Sequence, residues 1–285
     1  MAFAPPNLIQ VPPPGELRYG LFNVARGPLP LPDRAGVAGG LYDGDGCGTP
    51  RGYQADCDET PATKAFDDNI AEQPFLPFVV YASIVCGTAG YTGEYLEAKA
   101  RRKLMAVEQN AVEQAVWSGA ISGSGALGNR PTFQNGGTPS GGNPTVLTAA
   151  GSLRAGIAAL EEFAGDNYGY VPVIHAEQRL AAQMGAQGLL RESSQGQPRR
   201  TFHGSLVSLG GGYTGTSNAG VAPAAGHAWL AVTGQVTVWR QEEIFVAPAE
   251  QTLNRTLNQH QIVAERAWAV TYDCFVAMVD VDLAG

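Results

Sequence analysis

The sequence predicts an α+β fold, and three features of the chain carry that prediction. A long amphipathic helix is expected over residues 92–118. Segments rich in valine, isoleucine and aromatic residues lie on both sides of it, toward the start and the end of the chain, and are typical of strands. Shorter helical patterns fall between the strand regions, so the two element types are segregated, as in α+β proteins.

The composition narrows the class of protein. Of the 285 residues, 44% are hydrophobic and only 15% are charged, where about 25% is usual for a globular protein. The 37 glycines and 19 prolines predict much extended sequence and much surface that packs against other surface. The net charge of −8 argues against a protein whose main task is electrostatic binding of nucleic acid.

No apolar run approaches the length of a membrane span, so we expect no membrane partner. The N-terminus lacks the basic start and apolar core of a signal peptide. We therefore expect synthesis in the cytoplasm with thiols mostly reduced.

Residues 1–60 are expected to form an arm. Proline clusters in its first 14 residues, and again near residue 30, forbid regular helix and favour an extended polyproline conformation. The stretch 41–60 is dense in glycine and aspartate and has no apolar period. Such a segment cannot bury enough surface to order itself, so we expect it to lie on neighbouring surfaces.

The first strand is expected within residues 74–87, and it leads directly into the long helix. Thr92 can cap the start of that helix and Gly119 can stop it. At about 1.5 Å per residue the helix is about 40 Å long, which is the width of a domain. Its narrow, alanine-rich apolar face is expected to consist of Leu96, Ala100, Leu104, Val107, Ala111 and Ala115.

The second half of the chain predicts shorter elements. We expect a helix over 145–164, a strand at 170–174 and a short helix at 175–184. From residue 199 onward the pattern is mostly β. Residues 228–240 predict a hairpin that turns at Thr233-Gly234-Gln235, and two further strands are expected within 261–283.

No catalytic, cofactor or metal site emerges from the motifs. Two GxGxxG patterns, at 123–128 and 210–215, lack the strand, turn and helix that a dinucleotide site requires. The histidines do not have metal-ligand spacing; they are His175, His203, His227 and His260. We therefore predict no catalytic residue, no cofactor and no metal.

The cysteines do not form a disulfide scaffold, since four are too few for a chain of this length. Cys86 and Cys274 lie in apolar strands, where cysteine behaves as a small hydrophobe. A disulfide between Cys47 and Cys57 is the alternative to two free thiols there.

A basic run lies in the first half of the long helix and comprises Lys99, Arg101, Arg102 and Lys103. Such a run can contact phosphates. More often it forms a solvated face or pairs with acids on a neighbour, and we favour that interpretation. The four residues are therefore our candidate inter-subunit contacts.

The order of these elements resembles the HK97-fold major capsid proteins of tailed double-stranded DNA phages, and most closely those of phages that infect high-GC bacteria. A proline-rich arm precedes an acidic irregular segment, and the strand PFVVYASIVCGTAGYT then feeds the helix that ends VEQAVWSG. A central α/β region contains YVPVIHAEQRLAAQM and FHGSLVSLGGGYTGT. The chain closes with AWLAVTGQVTVWRQEEIFV and NQHQIVAERAWAVTYDCFVAMVDVDL.

The resemblance implies a division of the chain with a spine helix at 92–118, a peripheral β-sheet and a central α/β domain. The expected parts are an N-terminal arm (1–45), an extended loop or E-loop (46–77), a peripheral (P) domain (78–144), an axial (A) domain (145–255) and return strands of the P domain (256–285). Both return strands are expected beside the spine helix.

The resemblance also implies a structural protein without enzyme activity. Hexamers and pentamers of the chain would form an icosahedral head shell around double-stranded DNA, which is bound non-specifically. Portal, scaffolding and decoration proteins are the candidate partners, and the virion is the expected location after assembly in the host cytoplasm. Some relatives form Lys–Asn crosslinks, and Lys64 is the only lysine in the E-loop segment that could do so.

Two alternatives stay open. An encapsulin-like nanocompartment shell would share the fold, but encapsulins usually begin with a helix where this chain has proline clusters. A soluble α+β enzyme that uses a cysteine or histidine would be a compact monomer with a defined pocket. The first two interpretations predict a particle, and the third does not.

Overall fold

A computed structural model describes residues 18–32, 39–43, 72–87, 91–121, 132–134, 143–191, 194 and 197–284. The helices are α1 (Leu21–Val24), α2 (Gly93–Ser118), α3 (Leu153–Asn167) and α4 (Ala181–Ala186), with 3₁₀ turns at Gln178–Leu180 and Ala249–Thr252. The strands are β1 (Arg26–Pro30), β2 (Gly40–Asp43), β3 (Glu72–Phe75), β4 (Phe78–Gly87), β5 (Thr145–Val146), β6 (Val173–Glu177), β7 (Leu190–Arg191), β8 (Arg199–Thr201), β9 (Leu206–Gly210), β10 (His227–Thr233), β11 (Val236–Arg240), β12 (Phe245–Val246), β13 (Leu253–Asn254), β14 (Gln259–Tyr272) and β15 (Val276–Asp282). None of the described helices is long and apolar enough to cross a membrane.

The long helix α2 has the ends that the sequence predicts. The Thr92 hydroxyl accepts a hydrogen bond from the Tyr95 backbone N–H at 3.3 Å, which satisfies one of the free donors of the first turn. Gly119 ends the helix with φ at +71°, a conformation that glycine adopts without steric cost.

The buried face of α2 differs from the prediction at its centre. Val107 is 42% exposed, whereas Glu108 is buried and points toward the sheet. The C-terminal half is also buried on more than one side, through Ala111, Val112, Glu113, Ala115, Val116 and Trp117. A narrow stripe therefore describes only the first half of the helix, because the second half packs against several elements.

A six-stranded sheet packs against α2. Its central strand is β14, which pairs antiparallel with β4 along one edge and with β11, β12 and β13 in succession along the other. Strand β1 adds a parallel pairing outside β11. Leu104 of α2 and Trp268 of β14 are both fully buried in the core that the helix and sheet enclose.

A seven-stranded sheet has the order β5-β15-β10-β6-β9-β8-β7. The β6–β9 and β5–β15 pairs are parallel and the other pairs are antiparallel. Helix α3 packs on β10 and β15 and is closest at Gly156, where a Cβ atom would lie 2.2 Å from Val281 Cγ1. This helix begins later than predicted because the Ser152 hydroxyl caps it by accepting from the Ala155 N–H at 3.2 Å.

The hairpin predicted for residues 228–240 is wrong. Strand β10 pairs with β15 in the seven-stranded sheet, with Thr233 opposite Val276. Strand β11 pairs with β14 in the six-stranded sheet, with Val236 opposite Tyr272. The chain therefore crosses between the sheets instead of turning back, because each strand finds its partner in the last quarter of the sequence.

Two crossings run side by side and join the sheets. The link between β10 and β11 lies beside the link between β14 and β15, and Asp273 donates its backbone N–H to the Gln235 carbonyl at 3.1 Å. Of the last two strands, β14 lies beside α2 and β15 lies in the other sheet. Strands β11, β12 and β13, from the segment 145–255, conversely join the six-stranded sheet.

The described part of the arm packs on its own chain. In α1, Leu21 and Val24 are buried in the same core as α2. Strands β2 and β3 form a short antiparallel pair, in which Asp43 lies opposite Glu72. The backbone of residues 43 and 72 thus closes the base of the loop that connects them.

Candidate functional site

The basic run of α2 faces the six-stranded sheet and the solvent. Arg101 donates from Nη1 to the Ile244 carbonyl at 2.9 Å, and Lys103 donates from Nζ to the Ser83 carbonyl at 2.8 Å. The Lys99 Nζ atom lies 5.9 Å from the centre of the Tyr95 ring.

These contacts give the basic run a local role. Arg101 and Lys103 tie α2 to strand ends and edges of its own sheet, while their side chains stay exposed to solvent, as does that of Lys99. Arg102 is half-buried. Three of the four side chains are therefore accessible to an acidic partner.

A second ionic contact, which the sequence did not reveal, fixes α2 to the sheet from inside. Arg266 of β14 donates from Nη1 to both carboxylate oxygens of Glu108, each at 3.2 Å, and both residues are buried. Burial lowers the pKa of the Arg266 guanidinium, and the charge of Glu108 opposes that change. This pair explains why α2 turns Glu108 inward and leaves Val107 outside.

Glu113 is the point at which three elements meet. Its side chain is fully buried in α2 and accepts backbone N–H groups from Leu21 of α1 and from Gly212, the second residue after β9, each at 2.9 Å. The Gln109 side chain donates to the same carboxyl group at 3.2 Å. Burial raises the pKa of Glu113, and the hydrogen bonds from Leu21 and Gly212 act in the opposite direction.

The approach to Glu113 depends on two glycines. A Cβ atom on Gly20 would lie 2.4 Å from Glu113 Oε1, and one on Gly212 would lie 2.0 Å from the Asn110 carbonyl oxygen. Both distances are far inside van der Waals contact. The sequence around 210–215, which matched a dinucleotide-loop pattern, therefore uses Gly212 for packing against a helix.

A separate buried series of hydrogen bonds links Tyr213, in the loop after β9, to the seven-stranded sheet. The Thr233 hydroxyl donates to the Gly234 carbonyl at 2.9 Å, so it accepts from His175 Nε2, also at 2.9 Å. His175 Nδ1 is then the acceptor for the Tyr213 hydroxyl at 2.9 Å, and Tyr213 accepts from Ser208 at 2.8 Å. Every hydroxyl in this series has a partner, so the neutral Nε2–H tautomer of His175 is fixed.

The hydrogen-bonded series that contains His175 and Tyr213 has a structural role. Burial lowers the pKa of His175 to about 3 and raises the pKa of Tyr213 well above its ordinary value. His175 is fully buried and surrounded by neutral partners, so it is held as an uncharged hydrogen-bonding group. Among the described residues, no group of three histidine, cysteine or acidic side chains is placed to hold a metal ion.

A third polar cluster lies where the sheets join. The Asp273 carboxylate accepts a hydrogen bond from the hydroxyl of Tyr42, which lies at the base of the loop. It accepts a second hydrogen bond from the hydroxyl of Tyr168 at 3.0 Å. Tyr168 in turn accepts the Gln235 N–H at 3.0 Å. Burial is the main reason why the pKa of Tyr168 is raised to about 12. Burial is also the main reason why the pKa of Tyr42 is raised.

The structure corrects the prediction for the cysteines. Cys86 is free and Cys274 is disulfide-bonded, so Cys274 is not a simple small hydrophobe. Its partner lies outside the described residues. Cys47, Cys57 and Lys64 also lie outside them, so the Cys47–Cys57 bridge and the crosslink at Lys64 stay predictions from the sequence.

Comparisons with solved structures identify the fold of this chain. No family model matches the chain, and no curated protein matches it. Among solved structures, the capsid of an empty GTA particle superimposes with a TM-score of 0.55 at 14% identity, over 97% of this chain and 100% of that one. A structure of Mycobacterium phage Bobi gives a TM-score of 0.53 at 12% identity, over 98% of this chain and 94% of that one. The chain therefore has the HK97-like capsid fold.

Proposed function

We propose that this chain is a structural protein that self-assembles, through hexamers and pentamers, into the icosahedral shell of a tailed-phage head around double-stranded DNA. The likeness to the GTA capsid carries the proposal, because it spans 97% of this chain and the whole of the capsid chain. The buried polar groups support it as well. Those of Glu113, His175 and Asp273 are engaged in hydrogen bonds that hold elements of the fold together.

Within that shell, the arm at 1–45 and the E-loop at 46–77 would reach neighbouring copies. The pairing of β2 with β3 closes the base of a loop formed by residues 44–71. A chain of that length, folded back on itself, can extend about 45 Å from its base. This reach exceeds the radius of a domain of this size, which supports contact with an adjacent subunit.

Charge supports one docking surface for the E-loop. Residues 44–71 carry six acidic and two basic side chains by sequence. We propose that this acidic segment meets the basic run Lys99, Arg101, Arg102 and Lys103 of an adjacent copy. The basic run is exposed on three of its four side chains, which leaves it accessible to such a contact.

The two sheets suggest a refined division into domains. We propose that the P domain consists of the six-stranded sheet and α2, and that the A domain consists of the seven-stranded sheet with α3 and α4. The sequence limits 78–144, 145–255 and 256–285 then serve only as approximate guides, because the paired crossings beside Asp273 connect the domains.

The remaining parts of the proposal concern partners and location. Portal, scaffolding and decoration proteins would be partners of the shell, and packaged DNA would be bound without sequence specificity. The virion would be the final location after assembly in the host cytoplasm. We propose no enzyme activity, and a host of high-GC type stays a prediction from the sequence.

Negative-stain electron microscopy tests the proposal directly. The chain would be expressed alone and together with the products of neighbouring genes, and then purified by size. We expect closed shells of uniform diameter that contain DNA when packaging proteins are present. Shells that instead enclose a single protein cargo would favour a nanocompartment, and discrete monomers with catalytic turnover would overturn the proposal.

A further inference from the structure

Strand β4 presents a long free edge. Its ten residues pair with β14 on one side, and no other described strand pairs with it on the other. In an antiparallel ladder, alternate residues direct their N–H and C=O groups away from the partner strand. The outer edge of β4 therefore offers a row of backbone donors and acceptors along most of its length.

The other outer edges of the two large sheets are protected in the ways that proteins usually protect them. Strand β1 carries Pro28 and Pro30 among its five residues, and the outer strands β5 and β7 have two residues each. Strand β4 has no proline and no charged residue, and it contains three valines and an isoleucine. Near the middle of β4, the Ser83 carbonyl accepts a hydrogen bond from Lys103 Nζ, and no other described strand pairs with the outer edge on either side of that contact.

We propose that β4 pairs antiparallel with β4 of a second copy across a two-fold axis, joining two six-stranded sheets into one. This inference rests on the proposed shell function, which requires contacts between copies. A strand without charges gives an acidic or basic partner nothing to pair with, whereas it meets a second copy of itself without repulsion of like charges. Its high content of β-branched residues favours strand pairing.

The burial pattern of β4 selects the register. Val79, Tyr81 and Val85 are exposed on the outer face, while Val80 and Ala82 are buried on the face toward α2. Opposite residues in an antiparallel pair point to the same face, so an axis that passes through a residue keeps like faces together.

An axis at Ala82 or its neighbour Ser83 gives the longest overlap of the two strands. With the axis at Ala82, the exposed Val79 lies opposite Val85 of the second copy, and Tyr81 lies opposite Ser83. Each of these pairs matches an exposed side chain with an exposed side chain, so the outer face stays continuous across the axis.

Cysteine crosslinking in assembled particles tests this register. In a Cys86→Ser background, Ser83→Cys lies directly opposite its symmetry mate for an axis at Ser83. For an axis at Ala82 the two introduced residues lie diagonally across the strand pair, about 7–8 Å apart. Gly87→Cys is the matched control in the same strand, because open space surrounds a Cβ there. Its symmetry mate would lie about 30 Å away at about 3.4 Å per residue.

After treatment of the particles with a short bifunctional thiol crosslinker, whose length covers both separations, we expect a denaturing gel to show a dimer for Ser83→Cys and a monomer for Gly87→Cys. Peptide mapping should find the two introduced thiols joined to each other. Hydrogen exchange of unmodified particles should show that β4 amides become protected on assembly.

Three results would overturn the pairing. The first is that intact particles give no Ser83→Cys dimer. The second is that the introduced thiol joins another segment or another protein. The third is that the amide hydrogens of β4 exchange at the same rate before and after assembly. In each case particles still exist, so the shell function survives. A wild-type chain that forms no particles would instead contradict the shell function itself.

Discussion

Glu113 in the spine helix accepts the backbone N–H of Leu21 at 2.9 Å, in a fully buried position. The contact fixes the root of the N-terminal arm to the middle of the subunit. The same carboxyl group accepts the N–H of Gly212, so a single side chain sets the relative positions of the arm root, the helix and the seven-stranded sheet. Under the proposed function, this junction would give the N-terminal arm a defined starting point from which to reach a neighbour.

Replacement of Gly212 should disrupt that junction. A Cβ atom there would lie 2.0 Å from the Asn110 carbonyl oxygen, so Gly212→Ala should lower the free energy of unfolding by about 2–3 kcal/mol. Gly185→Ala is the control, since it lies in α4 with open space around the new atom and should be neutral or stabilising by up to about 1 kcal/mol. Urea unfolding of the unassembled chain measures both. Equal effects of the two variants would contradict the close packing at Gly212.

His175 should make stability depend on pH. Its folded pKa of about 3 lies below its ordinary value of 6.5, so the unfolded chain binds more protons between these values. Stability is therefore lost as pH falls below 6.5, by at most about 1.4 kcal/mol per pH unit from this group.

His175→Gln should remove that part of the slope between pH 6.5 and 5, which amounts to about 2 kcal/mol. The variant would be compared with the wild type by urea unfolding at several pH values. Val107→Ala, which changes an exposed residue without a titratable group, should leave the slope unchanged. A His175→Gln slope identical to that of the wild type would show that the buried imidazole does not titrate as proposed.

The contact between Tyr42 and Asp273 should anchor the base of the E-loop. Tyr42→Phe and Asp273→Ala should each lower the free energy of unfolding by about 1–3 kcal/mol, because each leaves a hydrogen-bonding group without its partner. A double-mutant cycle should give a coupling of about 1 kcal/mol or more. Tyr81→Phe, an exposed tyrosine, should change stability by less than about 0.5 kcal/mol. Additive effects of the Tyr42 and Asp273 variants would rule out the anchor.

The basic run should influence assembly more than folding. Lys99→Glu should weaken each inter-subunit contact by about 1 kcal/mol, or about fivefold, while the unassembled chain keeps its melting temperature. Light scattering during assembly would show the effect, which should shrink at high salt. Arg255→Glu makes the same charge change at another exposed position and should have little effect. Similar losses for both variants would indicate a general charge effect.

The sequence predicted the parts of the fold whose signals are local. The spine helix is correct at both ends because Thr92 and Gly119 act on their own neighbours in the chain. The crossing at Gly234 was missed because its short turn also fits a hairpin. Its actual pairing depends on strands that begin more than twenty residues later, at Gln259 and Val276. The hydrophobic period of a strand and the residues of a turn do not show which distant strand becomes the pairing partner.

The junction residues were also missed, for a related reason. Glu113 interrupts an apolar run near the end of the helix, and this was the one available signal that it is buried with partners. Its partners Leu21 and Gly212 lie about a hundred residues away on either side, so only the tertiary structure brings them together. The positions of Arg101 and Lys103 were predicted, but not their contacts with carbonyl groups of the sheet.

Cryo-electron microscopy of particles assembled from the unmodified chain tests the central claim most directly. The account predicts a closed shell with five-fold vertices, in which every subunit shows the helix Gly93–Ser118 and the two sheets joined beside Asp273. A chain that remains monomeric under all assembly conditions, or that forms only irregular aggregates, would contradict it.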